Sequence, residues 1–225
     1  MKEFNLLKSY PNKSLRKVSN NFRTIKNRII ATYKDKRFYD GSRNNGYGGY
    51  INDGRWNKVA QNIFNHYKLK YNSKILHIGC DKGYLIESIK ELYPKSIVYG
   101  VENSRYPIGC SSKKIKKLIK FSDYYNLPFK KNFFDFVIAI GPVYSLNLRD
   151  SIKCLKEIKR VGKGKSFITL GAYENFKDLT YFMNWTLLGA TVLKKQEWKQ
   201  VLKHTKYTGD YKFNTTKSLN LFKNK

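Results

Sequence analysis

The apolar positions of the chain change rhythm at about residue 74. Downstream, short runs rich in Ile, Val, Leu and Phe alternate with stripes at helical spacing. Lys74–Ile78, Ser96–Val101, Phe134–Ile140 and Ser166–Leu170 predict strands buried on both faces. Ile119–Ser122 predicts a shorter strand and Tyr211–Asn214 a last one. Between them, Leu85, Ile86, Ile89 and Leu92 mark the inward face of a helix, and further helices are expected over Leu148–Val161 and Gln196–His204. Upstream, Trp56, Val59, Ala60, Ile63, Phe64 and Tyr67 predict one more helix, with Asp53 placed to cap its start. Strands alternating with helices predict an α/β fold with a doubly wound, mostly parallel sheet, whose ligands bind at the carboxyl ends of its strands.

The first part of the chain follows a different rule. Residues 1–37 are polar and weakly periodic, with eleven Lys or Arg against Glu3 and Asp35, and predict a basic arm with one or two short helices. Phe38 to Trp56 interleaves glycines with aromatics. Glycines supply unusual backbone angles and aromatics supply contact area, which is the makeup of an ordered cover loop. The division expected is therefore an arm and cover over 1–54 and an α/β domain over 55–225.

Composition adds a charge argument. Forty-five Lys and Arg stand against 16 acids, a formal net charge of +29 in 225 residues. Low-GC coding bias explains an excess of Lys but would enrich Glu as well, so the shortage of acids needs a physical account. A field this positive attracts phosphate, whether on nucleic acid, sugar nucleotides or lipid. No apolar run approaches a membrane span, and Met1 to Lys8 lacks the stretch of a secretion signal, so a cytoplasmic location is expected. Cys80, Cys110 and Cys154 are too far apart for a metal knuckle, and reduced thiols with no metal site are expected.

The chemistry concentrates in Ile75-Leu76-His77-Ile78-Gly79-Cys80-Asp81-Lys82-Gly83, a buried strand running into a glycine turn that opens a helix. Such a turn brings backbone N–H groups close to a ligand. Glu102 lies 23 residues beyond Gly79 at the end of the second strand, where a carboxylate accepts the hydroxyls of a ribose. A third element, Asp123-Tyr124 with Leu127-Pro128-Phe129, leads into Phe134-Asp135.

In order and spacing, these elements resemble the class I S-adenosylmethionine-dependent methyltransferases. Gly79–Gly83 is similar to their first motif and Gly100-Val101-Glu102-Asn103-Ser104 to their acidic ribose loop. Asp123-Tyr124 is similar to the adenine-side motif of the type 11 branch, and Leu155–Val161 to its helix before the fifth strand. The blocks Gly46-Tyr47-Gly48-Gly49-Tyr50…Asp53-Gly54-Arg55-Trp56 and Tyr207–Tyr211 resemble a bacterial subgroup associated with surface-polysaccharide clusters. The resemblance implies a Rossmann-like, seven-stranded sheet with an N-terminal helical arm and S-adenosyl-L-methionine as cofactor. It implies cofactor contacts from His77, Gly79, Cys80, Asp81, Gly83, Glu102, Asn103, Asp123, Tyr124 and Gly141. Two positions depart from the pattern: His77 stands where the family carries an acid, and Asp81 where it carries glycine.

Methyl transfer from a sulfonium needs alignment of donor and acceptor more than a triad. Tyr50, Arg55 and Tyr144 are the candidates for the acceptor side, with Tyr47 beside Tyr50 in the cover. The loop Ile140-Gly141-Pro142-Val143-Tyr144 keeps Pro and Tyr but lacks the polar first residue that amine-directed enzymes use, which disfavours a nucleobase amine. His66, on the flank of its helix, is read as a surface residue with the cleft as its alternative, and His204 as a helix-end cation. Lys113–Lys120 predicts a basic amphipathic helix. The expected activity is methylation of a small-molecule or carbohydrate-type acceptor, with a phosphate-bearing, nucleotide-linked sugar suited to the charge. The residues leave two rivals open: an RNA methyltransferase, and a catalytically silent binding or assembly protein with methyltransferase-like motifs.

Overall fold

The computed structural model describes residues 1–11, 16–19 and 22–223. Parts of the basic arm, residues 12–15 and 20–21, lie outside the described residues. In chain order, Arg16–Val18 (β1) is followed by two short helices, Ile25–Thr32 (α1) and Lys36–Tyr39 (α2), and by Asn57–Tyr67 (α3). Lys74–Ile78 (β2), Tyr84–Leu92 (α4) and Ile97–Glu102 (β3) open the central unit, and Arg105–Cys110 (α5), Lys113–Lys116 (α6) and Ile119–Phe121 (β4) continue it. Phe136–Ala139 (β5), Pro142–Ser145 (α7), Leu148–Val161 (α8) and Ser166–Tyr173 (β6) follow. Phe176–Trp185 (α9), Leu193–Lys194 (β7), Lys195–His204 (α10), Asp210–Asn214 (β8) and Leu221–Lys223 (β9) close the chain.

Seven strands form one Rossmann-like sheet in the order β4-β3-β2-β5-β6-β7, with β8 also on β6. Every pairing in it is parallel. The edge of β6 is shared, with β8 alongside Phe167–Gly171 and β7 alongside Ala172–Tyr173. A parallel sheet must be covered on both faces, and two apolar clusters do this. Leu76, Ile78, Val137 and Ile168 meet Leu155, Ile158, Trp198 and Leu202 from α8 and α10. Ile75, Phe136, Ile138 and Phe167 meet Val59, Ile63, Leu85 and Ile89 from α3 and α4. From β2 the chain winds outward through β3 and β4, then returns to place β5 on the other side of β2. This reversal opens a crevice above the carboxyl ends of β2 and β5.

Several expectations are corrected. The predicted helix over 113–120 stops at Lys116, because Ile119 pairs with Gly100 as β4. Asp53 does not cap α3, whose N-cap is Trp56 without a side-chain bond; its carboxylate holds Arg55 instead. The fourth strand is shorter than Phe134–Ile140, with Phe134 kept as a single bridge to Gly162. Leu92 is 36% exposed rather than inward. The helix α9 was unforeseen, although Asn175 caps it by accepting from the Asp178 N–H.

The N-terminal residues are also tied into the core. Glu3 bridges Tyr211, with Phe4 N–H donating to the Tyr211 carbonyl at 2.8 Å. Phe4 stacks on His66 at 4.0 Å, and Leu6 is fully buried in the cluster of α3 and α4. His66 itself sits 3.4 Å from Asp210. β1 pairs in parallel with β9, so both ends of the chain are fixed together. No described helix is long and apolar enough to cross a membrane. Removing a fully buried leucine side chain costs the transfer energy plus the cavity left behind. Leu6→Ala is therefore expected to lower the urea unfolding free energy by about 2–4 kcal/mol. A change below about 0.5 kcal/mol would show that the N-terminal residues are not part of the folding unit.

Candidate functional site

The turn after β2 is built from backbone that only special residues tolerate. Gly79, Asp81 and Gly83 all have positive φ, at 66°, 50° and 80°. A Cβ on Gly79 would lie 2.2 Å from Cγ of Pro142, so glycine is required where the loops leaving β2 and β5 pass each other. Gly83 is required for packing, since a Cβ there would meet the Ile115 methyl at 2.4 Å. Asp81 adopts the left-handed conformation that short polar side chains accept. The departure from glycine is thus accommodated by the backbone.

Glu102, fully buried at the end of β3, organises this end of the crevice. Its Oε2 accepts the Asp81 N–H at 3.1 Å, while Oε1 accepts the N–H groups of Asn103 (2.9 Å) and Ser104 (3.0 Å). The Tyr124 hydroxyl lies 2.8 Å from both Glu102 Oε1 and Asn103 Oδ1. Burial, reinforced by the nearby Asp81 charge, raises the Glu102 pKa above the ordinary carboxylate range, against the pull of Lys34 and the Tyr124 bond. Burial raises Asp81 likewise.

The segment ahead of α3 folds across the turn. Tyr39 and Tyr47 donate to the two Asp81 oxygens at 2.7 and 3.0 Å. Lys34 Nζ donates to Asn103 Oδ1 at 2.9 Å and sits 5.1 Å from the centre of the Tyr124 ring. Lys82 and Asp40 form an ion pair of 2.6 Å, with the Lys82 side chain 7% exposed. Lys82 also donates to the Tyr50 carbonyl at 2.9 Å, Tyr84 donates to that carbonyl at 2.8 Å, and Tyr106 donates to Asp40 at 2.8 Å. Tyr47 and Tyr50 stack at 4.8 Å. Sequence reading missed Lys34, Tyr39, Asp40 and Lys82. Asp40 carried a signal, being one of four acids in the first 54 residues and so due to meet a cation.

Under this cover lies a cavity of about 450 Å³. Of the residues expected at the site, Gly79, Asp81, Tyr124, Gly141, Tyr50, Arg55 and Tyr144 border it. His77, Cys80, Gly83, Glu102, Asn103 and Asp123 do not. The Cys80 side chain is turned toward Gly100 in the core, and burial pushes its thiol up, so it is no nucleophile. His77 is buried with both ring nitrogens lacking a hydrogen-bond partner, and burial lowers its pKa to about 3, keeping it neutral. Arg55 is held by Asp53 and lies over Tyr10, so its charge is already matched. Tyr144 packs its ring on Gly171 and meets Asn214 in the cavity wall. Trp185 and Leu187–Gly189 border the far end.

Known proteins share part of this fold. Residues 76–170 match the family described as "Methyltransferase domain". Over this stretch the chain resembles a methyltransferase domain. A ribosomal RNA small subunit methyltransferase C from Buchnera aphidicola is 33% identical over 81 residues, covering 34% of this chain and 23% of that protein. The matched part is thus under a quarter of that relative's length. The YcgJ protein of Bacillus subtilis superposes with a TM-score of 0.53 at 15% identity, over 65% of this chain and 66% of that one. The [4+2]-cyclase SpnF superposes with a TM-score of 0.52 at 16% identity, over 66% of this chain and 57% of that one. These two likenesses show the fold of the methyltransferase domain, and a fold alone leaves the reaction open.

The family's methyl donor is S-adenosyl-L-methionine, and the residues present fit it in kind. A buried carboxylate with remaining acceptor capacity ends β3, the turn 79–83 brings left-handed backbone to the crevice, and His77, buried in β2 before that turn, carries two ring nitrogens without partners. Buried Lys82 is the anchor of the cover over the methyltransferase domain. Lys82→Met, which leaves Asp40 without its cation, is expected to cost about 2–3 kcal/mol and to open residues 41–49 to limited proteolysis. Lys163→Met, at a pair with Asp135 that is half exposed, should cost under about 1 kcal/mol. Equal losses for the two variants would remove Lys82 from this role.

Proposed function

We propose that the chain is an S-adenosylmethionine-dependent methyltransferase acting on a small-molecule or carbohydrate-type acceptor. The observation that carries this reading is the cavity itself, lying between the strand ends of the α/β domain and a tyrosine cover, and of small-molecule size. In this reading Glu102 takes the ribose hydroxyls, Asp123 and Tyr124 border the adenine, and His77 with the Gly79–Gly83 turn holds the amino-acid end. The sulfonium, when bound, supplies an electrophilic methyl group. The chain aligns the acceptor against it through Tyr50, Tyr144 and Arg55, and excludes water through the cover. No histidine borders the cavity among the described residues, and Asp81 is its only carboxylate. Catalysis then rests on positioning, with an acceptor atom that is already nucleophilic.

Glu102 is screened from the cavity by Tyr124 and Asp81, so donor binding requires the Tyr124 hydroxyl to yield its place on the carboxylate. Calorimetry with S-adenosylhomocysteine tests this. Wild-type protein is expected to bind, Glu102→Gln to bind at least about tenfold more weakly, and Tyr124→Phe to bind as well or better. No binding by the wild type, or equal affinity in Glu102→Gln, overturns the assignment and leaves a silent binding protein.

The raised pKa of Glu102 gives a pH dependence with a definite sign. The neutral carboxyl persists above the ordinary glutamate range, and only the ionised form accepts both ribose hydroxyls. Affinity should therefore rise between about pH 5 and about pH 8, and that rise should vanish in Glu102→Gln. By linkage, the stability that the protonated carboxyl contributes is fully present in acid and fades as pH rises through its raised pKa.

The Buchnera relative's name and the charge of +29 favour an RNA acceptor as a second reading. Against it, the loop after β5 begins with Ile140-Gly141, without a polar group to receive an amine. Binding of random RNA that falls steeply with salt, together with methyl transfer to it, would favour this second reading.

A further inference from the structure

The cavity is lined by three arginines that meet no acid. Arg16, Arg23 and Arg43 border it, and none of the salt bridges among the described residues involves them. What holds them is backbone: Arg16 Nη1 donates to the Leu219 carbonyl at 2.8 Å, Arg23 Nη1 to Trp185 at 2.7 Å, and Arg43 Nη1 to Tyr47. Each guanidinium has five N–H donors, so most of each fork remains available. Arg23 Nε is shielded from solvent with no acceptor at all. Arg16 and Arg23 both lie against Trp185, 5.6 and 5.8 Å from its ring centre.

Such a cluster is costly as it stands. Burial lowers Arg23 to about 10, and the charges of Arg43, Arg28 and Arg16 push it in the same direction. Arg16 is lowered by burial and by Arg43. Surface arginines repel one another weakly in water, whereas these share one recess with a single carboxylate, Asp81, which is already bonded by Tyr39 and Tyr47. A multivalent anion would remove the repulsion and supply the missing acceptors, and guanidinium forks match phosphate oxygens in geometry. Carboxylate ligands carry one charge and two oxygens, too few for three forks.

We infer that Arg16, Arg23 and Arg43 form a subsite for the phosphate or diphosphate group of the acceptor, with Trp185 beside it. This deepens the methyltransferase reading by naming the acceptor class, and anion binding can be measured apart from the donor. Calorimetry of the full chain with inorganic pyrophosphate, at fixed ionic strength, reads the subsite alone. Pyrophosphate is expected to bind more tightly than phosphate. Arg23→Gln should weaken it at least about tenfold, the worth of one charge-assisted hydrogen bond. Arg43→Gln, at an exposed side chain that does not threaten folding, should weaken it several-fold, while Lys114→Gln on the α6 surface should leave it unchanged. The subsite is overturned if pyrophosphate fails to bind at millimolar concentration, or if Arg43→Gln loses no more affinity than Lys114→Gln. S-adenosylhomocysteine titrated into the same samples separates the two readings. Arginine-dependent pyrophosphate binding without nucleoside binding would keep the subsite and remove the donor assignment.

Discussion

The close passage of Gly79 beside Pro142 is the constraint on which the site depends. Strand order reverses between β2 and β5, so the loops leaving these two strands must part above the sheet while still touching at their base. No side chain fits at Gly79, and its positive φ turns the chain away from β5 and back over β3. The Gly79 N–H then bonds the Val101 carbonyl, and the Asp81 N–H bonds the Glu102 carboxylate. Three strand ends are locked by backbone contacts before any ligand enters. A crevice fixed this way is rigid on its floor, and its roof must come from elsewhere in the chain.

The roof is attached by charge as much as by packing. The chain has 16 acids, and three of them, Asp40, Asp81 and Glu102, lie along the contact between the cover and the turn after β2. Each meets donors across the boundary between cover and domain: Lys82 on Asp40, Tyr39 and Tyr47 on Asp81, Lys34 close to Glu102. Partly dehydrated pairs of this kind are weak stabilisers against an apolar alternative but strong specifiers of one arrangement, because breaking either partner leaves a buried charge. The cavity is also lined by Arg16, Arg23 and Arg43, which form no ion pair among the described residues, so its lining carries more positive than negative charge.

The fold was legible because the strands are buried on both faces, so their apolar runs need no context to be recognised. Leu148–Val161 appeared with the same bounds in sequence and structure, its apolar stripe undiluted. Lys113–Lys120 failed for the reverse reason: its helical stripe at Ile115, Leu118 and Ile119 competes with pairing to β3, and the sheet wins from Ile119 onward. The short partners β1 and β9, three residues each, have too little pattern to be seen. At the site, motif spacing located the glycine turn and Glu102. It could not show that Glu102 faces inward onto three N–H groups and a tyrosine hydroxyl, because those contacts depend on how separate loops meet. Lys34 and Lys82 were invisible among 45 basic residues for the same reason.

The placement of Lys34 couples the two halves of the argument. Its ammonium bonds Asn103 and lies over the Tyr124 ring, in front of the carboxylate that a ribose would need. Lys34 is also six residues from Asp40, the group that Lys82 anchors. In the proposed reading, exposing Glu102 to a ribose would displace the Tyr124 hydroxyl, which Lys34 also touches from the cover segment. In that reading the exchange would be close to balanced: the hydroxyl bond from Tyr124, worth about 1–3 kcal/mol, would be given up and two ribose hydroxyls would take its place on the carboxylate. A near-even exchange would allow a cover to close over its ligand and still release it, since neither the occupied nor the self-satisfied state of Glu102 would be favoured by much.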